Sequence, residues 1–269
     1  MNISNLNRSF EFLNNSSISK YTKSLAVICG SGLAQSINEY ADVIERFTYT
    51  EIPNFPIPKV GGHTGELLVI NFKNTNILAL VFSGRVHLYE GFCISDVLFQ
   101  VRLAKLLNIN TIVITCASGS LNRNSLPGEL GLITDQIDLQ SFSKTTAGVE
   151  HNPIYDNELA NTIYEIALKS GIPIRRGTLC AVLGPSYETP AEANIAKICG
   201  ADWMSMSTIK ETAEASALGL KVVGITGVTN YVNDSNMSHD HVLKSALDSS
   251  KHLWALLSAT ARGGLYGKE

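Results

Sequence analysis

Short β-branched apolar runs that alternate with amphipathic stretches predict an α/β fold: a single domain with a mixed, mostly parallel central sheet flanked by helices. Three observations carry this. Ser24–Cys29, Thr111–Thr115, Gly177–Gly184 and Lys221–Gly227 have the length and composition of buried strands. Stretches such as Tyr155–Ser170 and His239–Arg262 repeat apolar residues at helical spacing. A chain of 269 residues, 45% hydrophobic, fills one large α/β core, and no linker, repeat or low-complexity tract divides it.

In order, residues 1–22 form a polar N-terminal segment. The first strand runs straight into Gly30-Ser31-Gly32, and a helix is expected to open near Leu33. Strand, glycine turn and helix N-terminus together hold anions, because free backbone N–H groups and the positive helix end converge there. Residues 51–66, with three prolines and three glycines around His63, read as a loop passing close to something. Leu67–Phe72 and Ile77–Gly84 read as a hairpin turning at residues 73–76.

That hairpin delivers the chain to GRVHLYEG, residues 84–91, where Arg85, His87 and Tyr89 fall at alternate positions. If extended, the stretch presents cation, imidazole and phenol on one wall, suited to an oxyanion joined to something flat and apolar. Ser95 is the expected cap of a helix to about Leu107. After the second strand, residues 117–120 read as a small-residue loop that lets a ligand approach the backbone.

Gly128–Leu139 supplies another strand and residues 141–153 a polar loop. The run Gly184–Pro190 follows a strand, with Thr189 capping a helix whose first residue is Pro190. Asp202–Ser207 reads as a short strand, Thr208–Leu218 as a helix, and Lys221–Gly227 as a strand ending in Val228-Thr229-Asn230. Ser31, Arg85, Ala117, Tyr187 with Glu188, Met206 with Ser207, and Thr229 with Asn230 thus all sit at strand ends. In an open α/β sheet that edge binds the ligand.

Composition narrows the partner. A net charge of −3 without a long basic run argues against nucleic acid, whose phosphates need clustered Lys and Arg. Five scattered cysteines with no C-x-x-C pair indicate neither a disulfide framework nor a zinc site, and a reducing, cytoplasmic setting is expected. No apolar stretch is long enough for a signal peptide or a membrane span, so the expected partner is a small molecule.

The motifs GSGLA (30–34), IPNFP (52–56) with GHTGE (62–66), GRVHLYEG, ASGSLN (117–122), GPSYETPAE (184–192), GADWMSMST (200–208) and VTN (228–230) together resemble the trimeric purine nucleoside phosphorylases, from about Leu25 to Leu257. The resemblance implies phosphorolysis of purine nucleosides to free base and ribose 1-phosphate, in purine salvage. Inorganic phosphate is then the co-substrate, no metal or organic cofactor is needed, and the assembly is a homotrimer.

The same resemblance gives Ser31, His63, Arg85, His87, the Ala117 backbone and Ser207 to phosphate. It gives Tyr89, Met206 and His239 to the ribose, with His241 the alternative to His239, and Tyr187, Glu188, Met204, Thr229 and Asn230 to the purine. Asn230, Glu188, His87 and His239 are the expected catalytic residues, with Glu90 steadying the cationic wall. An amide at position 230, donating to N7, suits 6-oxopurines (inosine and guanosine).

The chain departs from the family pattern at Cys116, Ser118 and Ser120, whose side chains are expected to crowd the phosphate and ribose floor. It also departs at Lys210, at Trp203, at Tyr231–Ser238 and in a loop at 141–153 shorter than in mammalian-type members. The alternatives are a 5′-methylthionucleoside phosphorylase and a catalytically weakened nucleoside-binding relative. Cys116 as a nucleophile is a weaker third reading, with no histidine beside it in sequence.

Overall fold

Five consecutive residues of the first strand, Leu25–Cys29, are fully buried, and the sheet is built outward from them. The computed structural model describes residues 3–140, 153–234 and 239–266. In chain order the strands are β1 (Leu25–Cys29), β2 (Ala41–Thr48), β3 (Glu66–Phe72), β4 (Leu78–Ser83), β5 (Thr111–Ser120), β6 (Leu130–Asp138), β7 (Ile174–Ala181), β8 (Trp203–Ser205) and β9 (Lys221–Tyr231). The helices are α1 (Ile3–Asn14), α2 (Ile37–Tyr40), α3 (Ile94–Val97), α4 (Phe99–Leu106), α5 (Asn157–Lys169), α6 (Pro190–Ile198), α7 (Ile209–Ala217) and α8 (His239–Arg262).

The strands form one sheet in the order β2-β3-β4-β1-β5-β8-β7-β6-β9, and β9 pairs again with β5. That last pairing closes β5, β8, β7, β6 and β9 into a ring, with β2, β3, β4 and β1 as a wing. Five pairings are parallel and four antiparallel, so the expected mixed sheet is observed with only a slight parallel majority. Helices α1, α4 and α7 pack together, as do α2, α5 and α8, over two separate apolar clusters.

The ring contains Trp203, which shares an apolar cluster with Cys116, Leu179, Ile133 and Val228 from the other four strands. A Cβ on Gly131 would come within 2.6 Å of the indole, and one on Gly177 within 2.8 Å. Glycine at these two positions is what lets β6 and β7 close against the ring system. The buried indole N–H donates to Ser125 Oγ at 3.0 Å, leaving no polar atom stranded.

Several expectations are met in register. The β3–β4 hairpin pairs Leu67 with Phe82, α8 spans His239–Arg262, and α6 starts at Pro190, with Thr189 Oγ1 accepting from the Glu192 N–H.

Others are corrected. No helix opens at Leu33: a turn is followed by α2, one turn long, because β2 must begin at Ala41 to pair with β3. The anion site therefore has no helix dipole behind Ser31. The cap expected at Ser95 lies at Cys93, whose N–H and thiol both point at Asp96 Oδ2, and the helix breaks at Leu98 into α3 and α4. Residues 117–120 are strand, continuing β5 against β8 and β9. The N-terminal segment contains α1, whose Leu13 is fully buried. The 141–153 loop lies outside the described residues except for its last member. Among the described residues no helix is long and apolar enough to cross a membrane.

Candidate active site

Where β1, β5, β7, β8 and β9 end, they enclose a cavity of about 570 Å³. The gathering is expected, but its cause is not the single open edge. Strands β6, β7 and β8 run opposite to β1, β4, β5 and β9. They reach the same place because β8 overlaps only the last two residues of β5, Gly119 facing Met204 and Ser120 facing Trp203. The chain leaving β8 then runs back along β5, so Met206 and Ser207 meet Ala117 and Ser118 around the cavity.

One wall is the turn after β1. Ser31 and its flanking glycines line the cavity beside Ala117. A Cβ on Gly30 would stand 2.6 Å from the Cys116 Cα, so only glycine lets this turn lie against β5. Ser31 Oγ is 3.1 Å from His63 Nε2, while His63 Nδ1 accepts the Arg85 N–H at 3.3 Å. With Nδ1 as acceptor, neutral His63 carries its proton on Nε2 and donates it to Ser31. The serine hydroxyl hydrogen is left for a ligand. Burial, with His87 and Arg85 close by, lowers the His63 pKa to about 3, which keeps the ring neutral. His63 thus acts behind Ser31, one layer from the cavity.

His87 and Tyr89 do line the cavity, with rings stacked 4.8 Å apart. Glu90 Oε1 accepts from both the His87 N–H and Nδ1, each at 2.8 Å, and Glu90 Oε2 accepts from the Lys59 N–H. The expected steadying role of Glu90 therefore has a geometry. Burial lowers the pKa of His87 and the bond to Glu90 opposes it, so the ring titrates below the usual histidine range.

Arg85 departs from the expected wall. Its stretch is extended at His87 but coils into a 3₁₀ turn at Leu88–Glu90. The guanidinium points inward, 1% exposed, beneath the cavity floor. Nη1 donates to both Glu211 oxygens, at 2.9 and 3.1 Å, and to Thr208 Oγ1 at 3.2 Å. Nη2 donates to the Ile28 and Thr115 carbonyls. Among the described residues, no Lys or Arg side chain lines the cavity.

Glu188, Tyr187, Thr229 and Asn230 line the cavity as well. Burial raises the Glu188 pKa above the usual carboxylate range; a backbone N–H bond opposes this, and Glu192 adds to it. Pairing of β5 with β9 slips by one residue at Thr229, between the pairs Ser118–Val228 and Gly119–Asn230. A bulge of this kind re-aims side chains, here toward the cavity. Asn230 Nδ2 donates to the Tyr231 carbonyl at 3.0 Å, which fixes the amide's orientation and leaves its second hydrogen available. Met204 and Met206 give the cavity an apolar side.

His239 opens α8, and its side chain lies outside the described residues. The next turn of α8 supplies Val242, Leu243 and Ala246 to the cavity, and Val232, Ser118, Gln35 and Gly61–Gly62 also line it. Apart from Ser118, expected at the phosphate and ribose floor, none of these was singled out as lining the cavity, because single aliphatic, glycine and amide residues carry no chemical signature until the fold brings them together. The expected crowding at the departures from the family pattern is largely absent. Cys116 Sγ turns to Thr226 Oγ1 at 3.4 Å and Ser120 Oγ to the Asn122 carbonyl at 2.7 Å, leaving Ser118 as the one that lines the cavity. A buried Cys116 outside the cavity lining gives the nucleophile reading no geometry. Lys210 Nζ pairs with Asp138 at the end of β6.

Comparison with known proteins bears on this arrangement. Residues 24–262 match the family model described as the phosphorylase superfamily. The chain is 33% identical over 232 residues to purine nucleoside phosphorylase 1 of Bacillus subtilis, covering 82% of this chain and 84% of that protein. It is 34% identical over 258 residues to the mouse purine nucleoside phosphorylase, covering 89% and 88%. Among solved structures, isoform 2 of the Schistosoma mansoni enzyme, in complex with cytosine and ribose-1-phosphate, superposes with a TM-score of 0.80 at 27% identity, covering 96% of both chains. Since the matched span takes in every strand and the whole cavity, this chain belongs to the phosphorylase superfamily and, within it, to the purine nucleoside phosphorylases, which are pentosyltransferases.

Proposed function

We propose that this chain cleaves purine ribo- and deoxyribonucleosides with inorganic phosphate, preferring the 6-oxopurines inosine and guanosine, and works as a cytoplasmic homotrimer. One observation carries the reading: a single cavity is lined by the hydroxyls of Ser31 and Ser207, by Glu188 and Asn230, and by the apolar bodies of Met204, Met206 and Tyr89. That set of surfaces fits a phosphate, a sugar and a purine held in one cavity.

In this reading phosphate is held by the Ser31 and Ser207 hydroxyls and the backbone at Ala117, and His87, whose Nδ1–H goes to Glu90, accepts the proton of hydrogen phosphate at Nε2. Arg85 supports it from beneath the floor and His63 by orienting Ser31. Tyr89, Met206 and His239 hold the sugar, whose C1′ becomes cation-like as the bond to N9 breaks, with phosphate as counter-charge and nucleophile. The leaving purine gathers negative charge. Asn230 meets it at N7 with its remaining amide hydrogen, and ionised Glu188 accepts from N1–H of a 6-oxopurine. Tyr187, Met204 and Thr229 line the base. Holding phosphate and nucleoside in line supplies much of the acceleration, and no metal or organic cofactor is required.

Val242 and Leu243, one turn into α8 from His239, favour a second substrate class with an apolar 5′ substituent, such as 5′-methylthioadenosine. The test is turnover of inosine, guanosine, adenosine and methylthioadenosine with and without phosphate. Formation of free base and sugar 1-phosphate only when phosphate is present, fastest with inosine or guanosine, is expected. Base release indifferent to phosphate means hydrolysis, and binding without turnover means a silent relative. Light scattering at three times the subunit mass is expected for the trimer.

A further inference from the structure

Thr208 is β-branched, yet it sits at φ 80° and ψ −52°, immediately after Ser207 and before α7. A side chain of that shape avoids positive φ and stays there only where its surroundings over-determine it. The surroundings are Glu211 and Arg85. Glu211 Oε2 accepts the Thr208 N–H at 2.7 Å and Arg85 Nη1 at 2.9 Å, and Nη1 also reaches Thr208 Oγ1. Glu211 is fully buried. It does not line the cavity, while Ser207 does. The carboxylate thus ties a strained turn and a buried cation together next to the cavity-lining Ser207, and Arg85 Nε, also buried, has no partner.

We infer that Glu211 is a positioning residue for phosphate: by gripping the Thr208 N–H and the Arg85 guanidinium it holds Ser207 facing the cavity and the cation against the floor. This rests on reading the cavity as a phosphorolysis site. The hydrogen bonds of Glu211 run to Arg85 and Thr208 and not to Glu188 or Asn230, so the two substrates report differently on its loss.

The experiment is steady-state kinetics of the full chain with inosine and inorganic phosphate varied independently. Glu211→Gln keeps volume but weakens the charge-assisted bonds, and it is expected to raise KM for phosphate about tenfold while KM for inosine stays within about twofold. Because Glu211→Gln strands a buried cation and can fail to fold, Arg85→Met with Glu211→Leu removes both charges together and is expected to show the same split. Equal changes in both KM values, a lower KM for phosphate, or a fall in kcat and Tm alone would overturn the proposal. Phosphate-independent base release by the unaltered chain would overturn the reading beneath it as well, whereas phosphate-dependent turnover with no split in the variants overturns only the role of Glu211.

Discussion

His63 shows how one side chain links the site to stability. Its folded-state pKa lies near 3 against an ordinary 6.5, so below the latter value the unfolded chain takes up the proton and the folded chain does not. The stability His63 contributes is therefore complete above its unfolded pKa and lost as pH falls from there toward its folded pKa. Between pH ~7.5 and ~5.5 the loss amounts to about 1.4 kcal/mol for one such histidine. Urea melts at the two pH values should show His63→Asn losing that much less than the unaltered chain. An identical loss in both would place the effect elsewhere, His87 being shifted in the same direction.

Asn230 carries a chemical prediction at the same scale. One amide hydrogen is held by the Tyr231 carbonyl and the other is free for the base. Asn230→Asp should shift the adenosine-to-inosine ratio of kcat/KM upward, and an unchanged ratio removes position 230 from base selection. Sequence made both residues visible as types placed near glycines and strand ends. It did not show that His63 works through Ser31, because that follows from a hydrogen bond between segments 32 residues apart.

At the scale of elements, the main revision is β5. Residues 117–120 have the composition of a loop, and local propensity favours one. They are strand because β9 on one side and β8 on the other supply hydrogen-bond partners from distant parts of the chain. Extended backbone there sets the bulge at Thr229 and hence the aim of Asn230. A Cβ on Gly119 would stand 2.8 Å from Val232 Cγ2 and 3.2 Å from Asn230 Nδ2. Gly119→Ala should therefore push the amide aside, with kcat/KM for inosine down about tenfold or more for a stability cost of ~1–3 kcal/mol. Unchanged kinetics alongside lowered stability would show that the approach of Gly119 does not position the amide. By contrast α6, with its Thr189 cap and Pro190 start, is fully legible in sequence, since capping depends on neighbours within one turn.

For the whole molecule, ring closure decides how the site forms. Glycines at Gly131 and Gly177 look unremarkable in sequence, yet they mark where the indole of Trp203 meets two strands. Gly131→Ala overpacks that contact and should destabilise the chain by ~1–3 kcal/mol. Adding Trp203→Phe should return part of the loss, and strict additivity of the two changes in denaturant melts would show that the indole is not what Gly131 accommodates.

By itself the sequence determined the α/β class, most strands and helices, and which residues carry chemistry, because periodicity, capping and side-chain type are local properties. Only the tertiary structure decided that the sheet closes, that residues 117–120 join it, and that Arg85 turns inward to Glu211 while Ser31 and His87 face the cavity. Those outcomes depend on pairing and ion contacts between residues far apart in the chain, Arg85 and Glu211 being separated by 126 positions, and no local pattern encodes them.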